Sequence, residues 1–252
     1  MDGFEVCRRV RSTPDISLTP IILITALNDA QSKLKGLEAG ANDFITKPPN
    51  RVELTARTQS LIKLKRVTRK LTGIENVLFS LARSIEAKDP YTQGHAERVA
   101  NLAVTIGRRL ELDDEELEAL RYAGYLHDIG KIGTPKKILH KPGKLNDTEY
   151  KVVQSHPEVG HNIVMPLHQI LGKALGAIRH HHERLDGSGY PDKLKDSEIP
   201  VNARIMAVAD MYDALTTDRP YRSGLPIKEA IKILKEDRDA GKLDPQIVNT
   251  LI

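Results

Sequence analysis

The chain has 252 residues, 40% of them hydrophobic and 29% charged, with a formal net charge of +4. This is an ordinary globular composition, and so small a net charge does not announce a nucleic-acid binder. Cys7 is the only cysteine, so no internal disulfide can form, and no stretch approaches the ~20 apolar residues of a membrane helix.

In chain order, residues 1–58 read as α/β. Phe4 to Arg11 predicts a short helix, closed by Pro14. Ile21-Ile22-Leu23-Ile24, after Pro20, predicts a short buried strand. Ala30 to Ala39 predicts a helix ended by Gly40, and Asp43 to Thr46 a second strand running into Lys47-Pro48-Pro49. Arg51 to about Leu71 is helical and rich in Lys and Arg. Without interleaved aromatics it reads as a solvated linker helix, with a boundary at Gly73. Everything after Gly73 reads as helix. Ile74, Val77, Leu78, Leu81, Ala82 and Ile85 recur at 3.6-residue spacing, as do Val99, Leu102, Ala103, Ile106 and Leu110. Asp113 with Glu116, and Asn146 with Glu149, have the spacing of capping boxes, and Pro157 is placed to open a helix. The expected fold is mainly α, with a small α/β segment at the N-terminus.

The nine histidines are arranged unevenly. His127 and Asp128 are adjacent in LHDIGK, and His181 and His182 in HHHERLDGSGYP. His156 lies between these pairs, and Asp210 stands in the apolar run AVADMYDA. A carboxylate in such a run is costly to bury without a cation or strong hydrogen bonds. Mixed imidazole and carboxylate donors suit Fe, Mn, Zn or Ni, and a helical core can aim them at one buried centre.

The ordered series DPYTQGHAERVA, LHDIGKIGTPKKIL, SHPEVG, HHERLDGSGYP and IPVNARIMAVADMYDALTTDRPYR resembles the HD-GYP branch of the HD phosphohydrolases. The resemblance covers roughly the last 180 residues. It implies an all-helical bundle over 74–252 that hydrolyses cyclic di-GMP to pGpG, and further to GMP. It implies two divalent metals, Fe or Mn. His127, Asp128 and Asp210 would hold one. Asp128 would bridge to a second, held by His156, His181 and His182, and His95 would lie at the first or beside it. Tyr91 stands where some members carry an extra Glu, which argues against a third metal. Lys131 would contact substrate phosphate, with Arg184, Arg219 and Arg222 as further phosphate ligands and Tyr190 as a guanine-stacking or partner-contacting residue. Asp128 and Lys131 carry the catalytic expectation. His140, His161, His168 and His180 match no ligand position. The family also admits a scaffold that binds cyclic di-GMP or docks diguanylate cyclases (GGDEF proteins), and enzymes for other cyclic dinucleotides. A complete ligand set favours the enzyme.

Residues 1–65 resemble the second half of a response-regulator receiver. MDGFEVCRRVR looks like the segment after the phosphoacceptor strand, Thr25 takes the switch position, and GLEAGANDFITKP carries the phosphate-sensing Lys47 with Pro48. The phosphoacceptor Asp and the first three of five expected strands are not in the sequence, so this region is not expected to act as a phosphorylation switch, and the chain reads as a natural truncation or a fragment. The expected boundaries are 1–58 for the receiver segment, 59–73 for a linker helix that could pair two copies, and 74–252 for the helical domain. The expected location is the cytoplasm.

Overall fold

A computed structural model describes residues 2–26, 30–87, 94–218 and 223–252. They fall into two compact units, divided between Asn76 and Val77.

The first unit contains α1 (Gly3–Ser12), β1 (Ile22–Thr25), α2 (Ala30–Glu38), β2 (Asp43–Thr46) and the start of α3 (Arg51–Glu86). The two strands pair in parallel, Ile22 opposite Asp43 through Thr25 opposite Thr46. Cys7, Ala39 and Ala41 form a small core with Phe4, Ile21 and Leu23 packed on it. Gly40 follows α2 at φ 95°, a left-handed conformation that glycine adopts without strain. The Arg11 guanidinium ties α1 to the loops, donating to the carbonyls of Gly40 and Thr19 and to Asn42 Oδ1.

The structure differs from the sequence reading at Gly73. Instead of two helices separated there, α3 runs unbroken for 36 residues. A glycine costs about 1 kcal/mol in a helix interior, too little to stop a helix flanked by good helix formers. Gly73 is exposed, and a Cβ built on it would meet nothing within 4 Å.

The second unit is helical. It comprises α4 (His95–Arg109), α5 (Asp114–Leu126), α6 (Lys136–Leu139), α7 (Asp147–Gln154), α8 (His156–Val164), α9 (His168–Leu171), α10 (Ala174–His180), α11 (Val201–Thr216), α12 (Ile227–Asp239) and α13 (Pro245–Leu251). Asn146 closes a full capping box with Glu149, and Asp113 accepts from Glu116 N at 2.8 Å. The core is built from Val99, Ala103 and Ile106 of α4, Leu120 and Ala123 of α5, Ala177 and Ile178 of α10, and Ile205, Met206 and Ala209 of α11. Small residues let these helices approach closely. A Cβ on Gly124 of α5 would lie 2.3 Å from Ala100 Cα of α4. The five-residue 3-10 turn after α5, Ile129–Gly133, presses equally hard on α8, where a Cβ on Gly130 would sit 2.0 Å from His156 O and 2.5 Å from Gly160 N.

Residues 181–200 connect α10 to α11. They form a loop with one 3-10 turn, Asp196–Glu198. Gly187 sits at φ 78°, and the side chain of Glu183 takes over main-chain donors that a helix would have satisfied itself: its Oε1 accepts from the N–H groups of Asp192 and Lys193 at 2.7 and 3.0 Å. No helix among the described residues is long and apolar enough to cross a membrane.

Two glycine substitutions test this packing by thermal unfolding. Gly73→Ala is expected to stabilise by about 0.4–1 kcal/mol, because the Cβ meets nothing and the unfolded chain loses freedom. Gly130→Ala pushes a methyl into backbone atoms and is expected to cost about 1–3 kcal/mol, lowering Tm by several degrees. An unchanged Tm for Gly130→Ala would contradict the close approach of this turn to α8.

Candidate metal centre

Most of the candidate donors sit at helix ends. His127 follows the last residue of α5, His181 and His182 follow α10, and His95 and His156 open α4 and α8. This position has a physical consequence. The last carbonyls of a helix lack intrahelical partners, and an imidazole three residues on can satisfy one. His127 Nδ1 lies 2.9 Å from Gly124 O, His156 Nδ1 2.7 Å from Val153 O, and His181 Nδ1 2.8 Å from Ile178 O. A carbonyl can only accept, so each Nδ1 carries the hydrogen and each neutral ring turns a bare Nε2 inward.

The inward atoms form two groups. Donor atoms of His156, His181 and His182 lie within 4.8 Å of one another, as do those of His95, His127 and Asp128. Asp128 stands between them: its Oδ2 is 3.5 Å from His127 Nε2, and its Oδ1 is 3.3 Å from His156 Nε2. Asp210, from the middle of α11, brings Oδ1 to 3.3 Å from His95 Nε2 and 4.0 Å from His127 Nε2. The seven residues singled out as metal ligands are therefore brought together. The structure also places His95, whose role was open, in the group with His127 and Asp128.

These residues fit divalent ions on two counts. Among the described residues, the buried His127 Nε2 has no hydrogen-bond partner. His156 Nε2 and His181 Nε2 face each other at 3.2 Å although both rings have already donated from Nδ1. Two opposed lone pairs at that distance need a cation or a proton between them. Burial pushes His156 down, His181 well down and His182 down to about 3, which disfavours the proton.

Electrostatics divides the groups. Burial opposes charge on Asp128, but Lys131 and the facing imidazoles outweigh it and hold the carboxyl well below its usual range. Asp210 is likewise held well down against burial, chiefly by its hydrogen bond with His95. Burial disfavours a charged His95, yet Asp210 and Asp213 prevail and push it up to about 10. One group thus offers carboxylates, the other neutral imidazoles.

A cleft of about 340 Å³ opens on the cluster, lined among others by Asp128, Asp210, Lys131, Arg184 and Tyr190. Lys131 Nζ pairs with Asp128 Oδ2 at 2.6 Å. Lys131 lies beyond the end of α5. It is carried by the 3-10 turn, which aims it into the cleft. Arg184 Nη1 is buried without a hydrogen-bond partner. Tyr190 packs its ring on His182, centroids 4.7 Å apart. Arg219, Arg222 and Tyr91 lie outside the described residues. His180 turns away to Asp192, Nε2 to Oδ2 2.9 Å.

Three partners escaped the sequence reading, two of them buried and one, Arg98, exposed. Asp213 Oδ2 accepts from His95 Nδ1 at 2.7 Å, and Arg98 Nε donates to Asp213 Oδ1 at 2.6 Å. Glu183 holds the loop after His182. Asp213 had a signal: it stands one turn after Asp210 in the same apolar run, and the cost of burying a lone carboxylate applied to it equally.

The helical fold and the imidazole–carboxylate donor set are those of a metal-dependent phosphohydrolase. Residues 80–247 match the family model described as HD domain, and residues 1–59 match the response regulator receiver domain. The chain belongs to the HD domain family and carries a receiver segment ahead of it. It is 39% identical over 274 residues to the cyclic di-GMP phosphodiesterase response regulator RpfG of Xanthomonas campestris pv. campestris, an alignment that takes in 100% of this chain and 72% of that protein. It is 41% identical over 175 residues to the 3'3'-cGAMP-specific phosphodiesterase 3 of Vibrio cholerae, covering 69% of this chain and 37% of that one. Bd1817, an HDG"Y"P protein of Bdellovibrio bacteriovorus, superposes with a TM-score of 0.51 at 24% identity over 62% of this chain and 50% of its own, a likeness of fold.

Asp213→Ala removes the acceptor from His95 Nδ1. Outer partners of this kind are worth about 10–100-fold in metal affinity. The variant is expected to keep its helical circular dichroism and to bind metal at the His95 group at least tenfold more weakly in a titration. Wild-type affinity would contradict a role for Asp213 in orienting that ring.

Proposed function

We propose that this chain hydrolyses cyclic di-GMP to linear pGpG, and onward to GMP, with two divalent ions, Fe or Mn. The observation that carries the reading is the facing pair of His156 and His181 nitrogens beside the unpartnered His127 nitrogen, an arrangement that asks for cations. His95, His127, Asp128 and Asp210 would hold one ion. His156, His181 and His182 would hold the other, with Asp128 giving one oxygen to each. When bound, such ions polarise phosphoryl oxygens and lower the pKa of water.

The chain's own residues do the rest. Lys131 and Arg184 are positioned on the cleft to pair with non-bridging phosphate oxygens and to offset the charge that builds there as the phosphorus is attacked. Asp128 keeps its charge against burial, so it remains an acceptor on both sides. The walls of the cleft and the buried rings beneath it limit water around the reacting group. Among candidate substrates, cyclic di-GMP is favoured by relatives whose alignments take in this whole chain, receiver segment included. A hybrid cyclic dinucleotide is the second candidate, from relatives that match the helical part.

The test is turnover of cyclic di-GMP and of 3'3'-cGAMP by protein purified anaerobically and loaded with Fe2+ or Mn2+. The expected result is faster hydrolysis of cyclic di-GMP, abolished by chelation. Lys131→Ala is expected to leave metal content near normal and to cut turnover about 10²–10³-fold, the usual size of one lost transition-state contact. Faster hydrolysis of 3'3'-cGAMP would reverse the substrate assignment, and unchanged turnover in Lys131→Ala would remove that lysine from the mechanism.

A further inference from the structure

His182 differs from the other rings of the cluster. His127, His156 and His181 are each fixed by a carbonyl at Nδ1, and His95 by Asp213. Among the described residues, no hydrogen bond fixes the ring of His182. An imidazole without one has a broad torsional well about its ring bond, so packing must choose the direction of its nitrogens. The packing comes from His181, at 4.1 Å between centroids and 44°, from Tyr190, at 4.7 Å and 31°, and from His156, edge-on at 5.0 Å and 81°.

Tyr190 is itself held from beneath. Its N–H donates to His182 O at 3.3 Å. Gly189 lies so close to the preceding turn that a Cβ there would be 2.4 Å from Glu183 Cα and 2.6 Å from His182 O. Two residues on, Glu183 Oε1 takes the N–H groups of Asp192 and Lys193. The Asp192 carboxylate is gripped in turn by Arg179, through Nε at 2.7 Å and Nη2 at 2.8 Å, and by His180. Glu183 is 2% exposed, and among the described residues its Oε2 has no hydrogen-bond partner. A carboxylate so buried is costly, and its two main-chain donors offset that cost only while the loop stays where it is.

We propose that Tyr190 and Glu183 act together as a clamp that sets the ring of His182. Tyr190 is the surface on which the ring rests, and Glu183 anchors the loop that presents Tyr190. Both are positioning residues, and the inference rests on the reading of His182 as a metal ligand. It gives Tyr190 a task different from stacking on a substrate base. The hydroxyl takes no part in the clamp, but the flat ring does. Likewise the charge of Glu183 is dispensable, while its accepting oxygen is not.

The test is titration of the whole chain with Mn2+, read by calorimetry and by the electron paramagnetic resonance of the bound ion, with circular dichroism to confirm folding. The wild type is expected to bind two ions. Tyr190→Phe and Glu183→Gln should bind both within about twofold of that affinity, because the ring and the accepting oxygen survive. Tyr190→Ala and Glu183→Ala should bind one of the two at least tenfold more weakly. Should Tyr190→Ala fail to fold, Tyr190→Leu, which fills the space without a flat ring, is expected to show the same weakening. At saturating Mn2+ the Ala or Leu variants should lose kcat on cyclic di-GMP while KM stays within about twofold. Wild-type affinity for both ions in Tyr190→Ala or Tyr190→Leu, or a rise in KM alone, would overturn the clamp. A wild type that takes up no Mn2+ would instead overturn the metal reading beneath it.

Discussion

One carboxylate faces both halves of the site, and the surrounding helices are arranged so that it does. Asp128 follows His127 directly, and its two oxygens reach His127 on one side and His156 on the other. That geometry requires three close approaches. α5 must press on α4 at Gly124 to bring His127 beside His95, their rings 5.2 Å apart. The turn after α5 must press on α8 at Gly130 to bring Asp128 to His156. α11 must pass close enough to lay Asp210 against His95. A methyl at either glycine would meet backbone atoms of the facing helix and push the halves apart.

The charges in the cleft make the same demand from another direction. Asp128, Asp210 and Asp213 line it together with Lys131 and Arg184. His95, pushed up to about 10 by Asp210 and Asp213, is a third cation there, so the carboxylates are only just balanced and leave little positive field for a phosphodiester. Divalent ions on the imidazole and carboxylate donors would tip that balance to positive, and Lys131 and Arg184 would then stand beside the phosphate of the proposed substrate. On the proposed reading, binding of the ions and binding of an anionic substrate would be coupled through one set of residues.

Much of this was legible in the sequence because it is local. The HD pair, the HHHE run and the apolar segment around Asp210 are each a short string, and the helices bearing them have clean periodicity and caps. Strand β2, at Asp43 to Thr46, was equally plain. What stayed hidden depends on contacts between distant positions. Asp213 meets His95 across 118 residues, and nothing near either one announces the other. Glu183 reads as an ordinary charged residue until the loop folds back onto it. Gly73 looked like a boundary because glycine is a common helix terminator, but its neighbours on both sides carry the helix through. Over 181–200, side chains such as Glu183, not main-chain repeats, satisfy the segment.

The most direct test of the shared carboxylate is the metal content of Asp128→Asn, measured on anaerobically prepared protein beside the wild type. Asparagine keeps the shape of the side chain but loses the charge and turns donor hydrogens to one side. The account predicts a soluble, helical protein that retains fewer than two ions and has lost phosphodiesterase activity by more than Lys131→Ala. Two ions retained at wild-type affinity, with turnover near wild type, would contradict it.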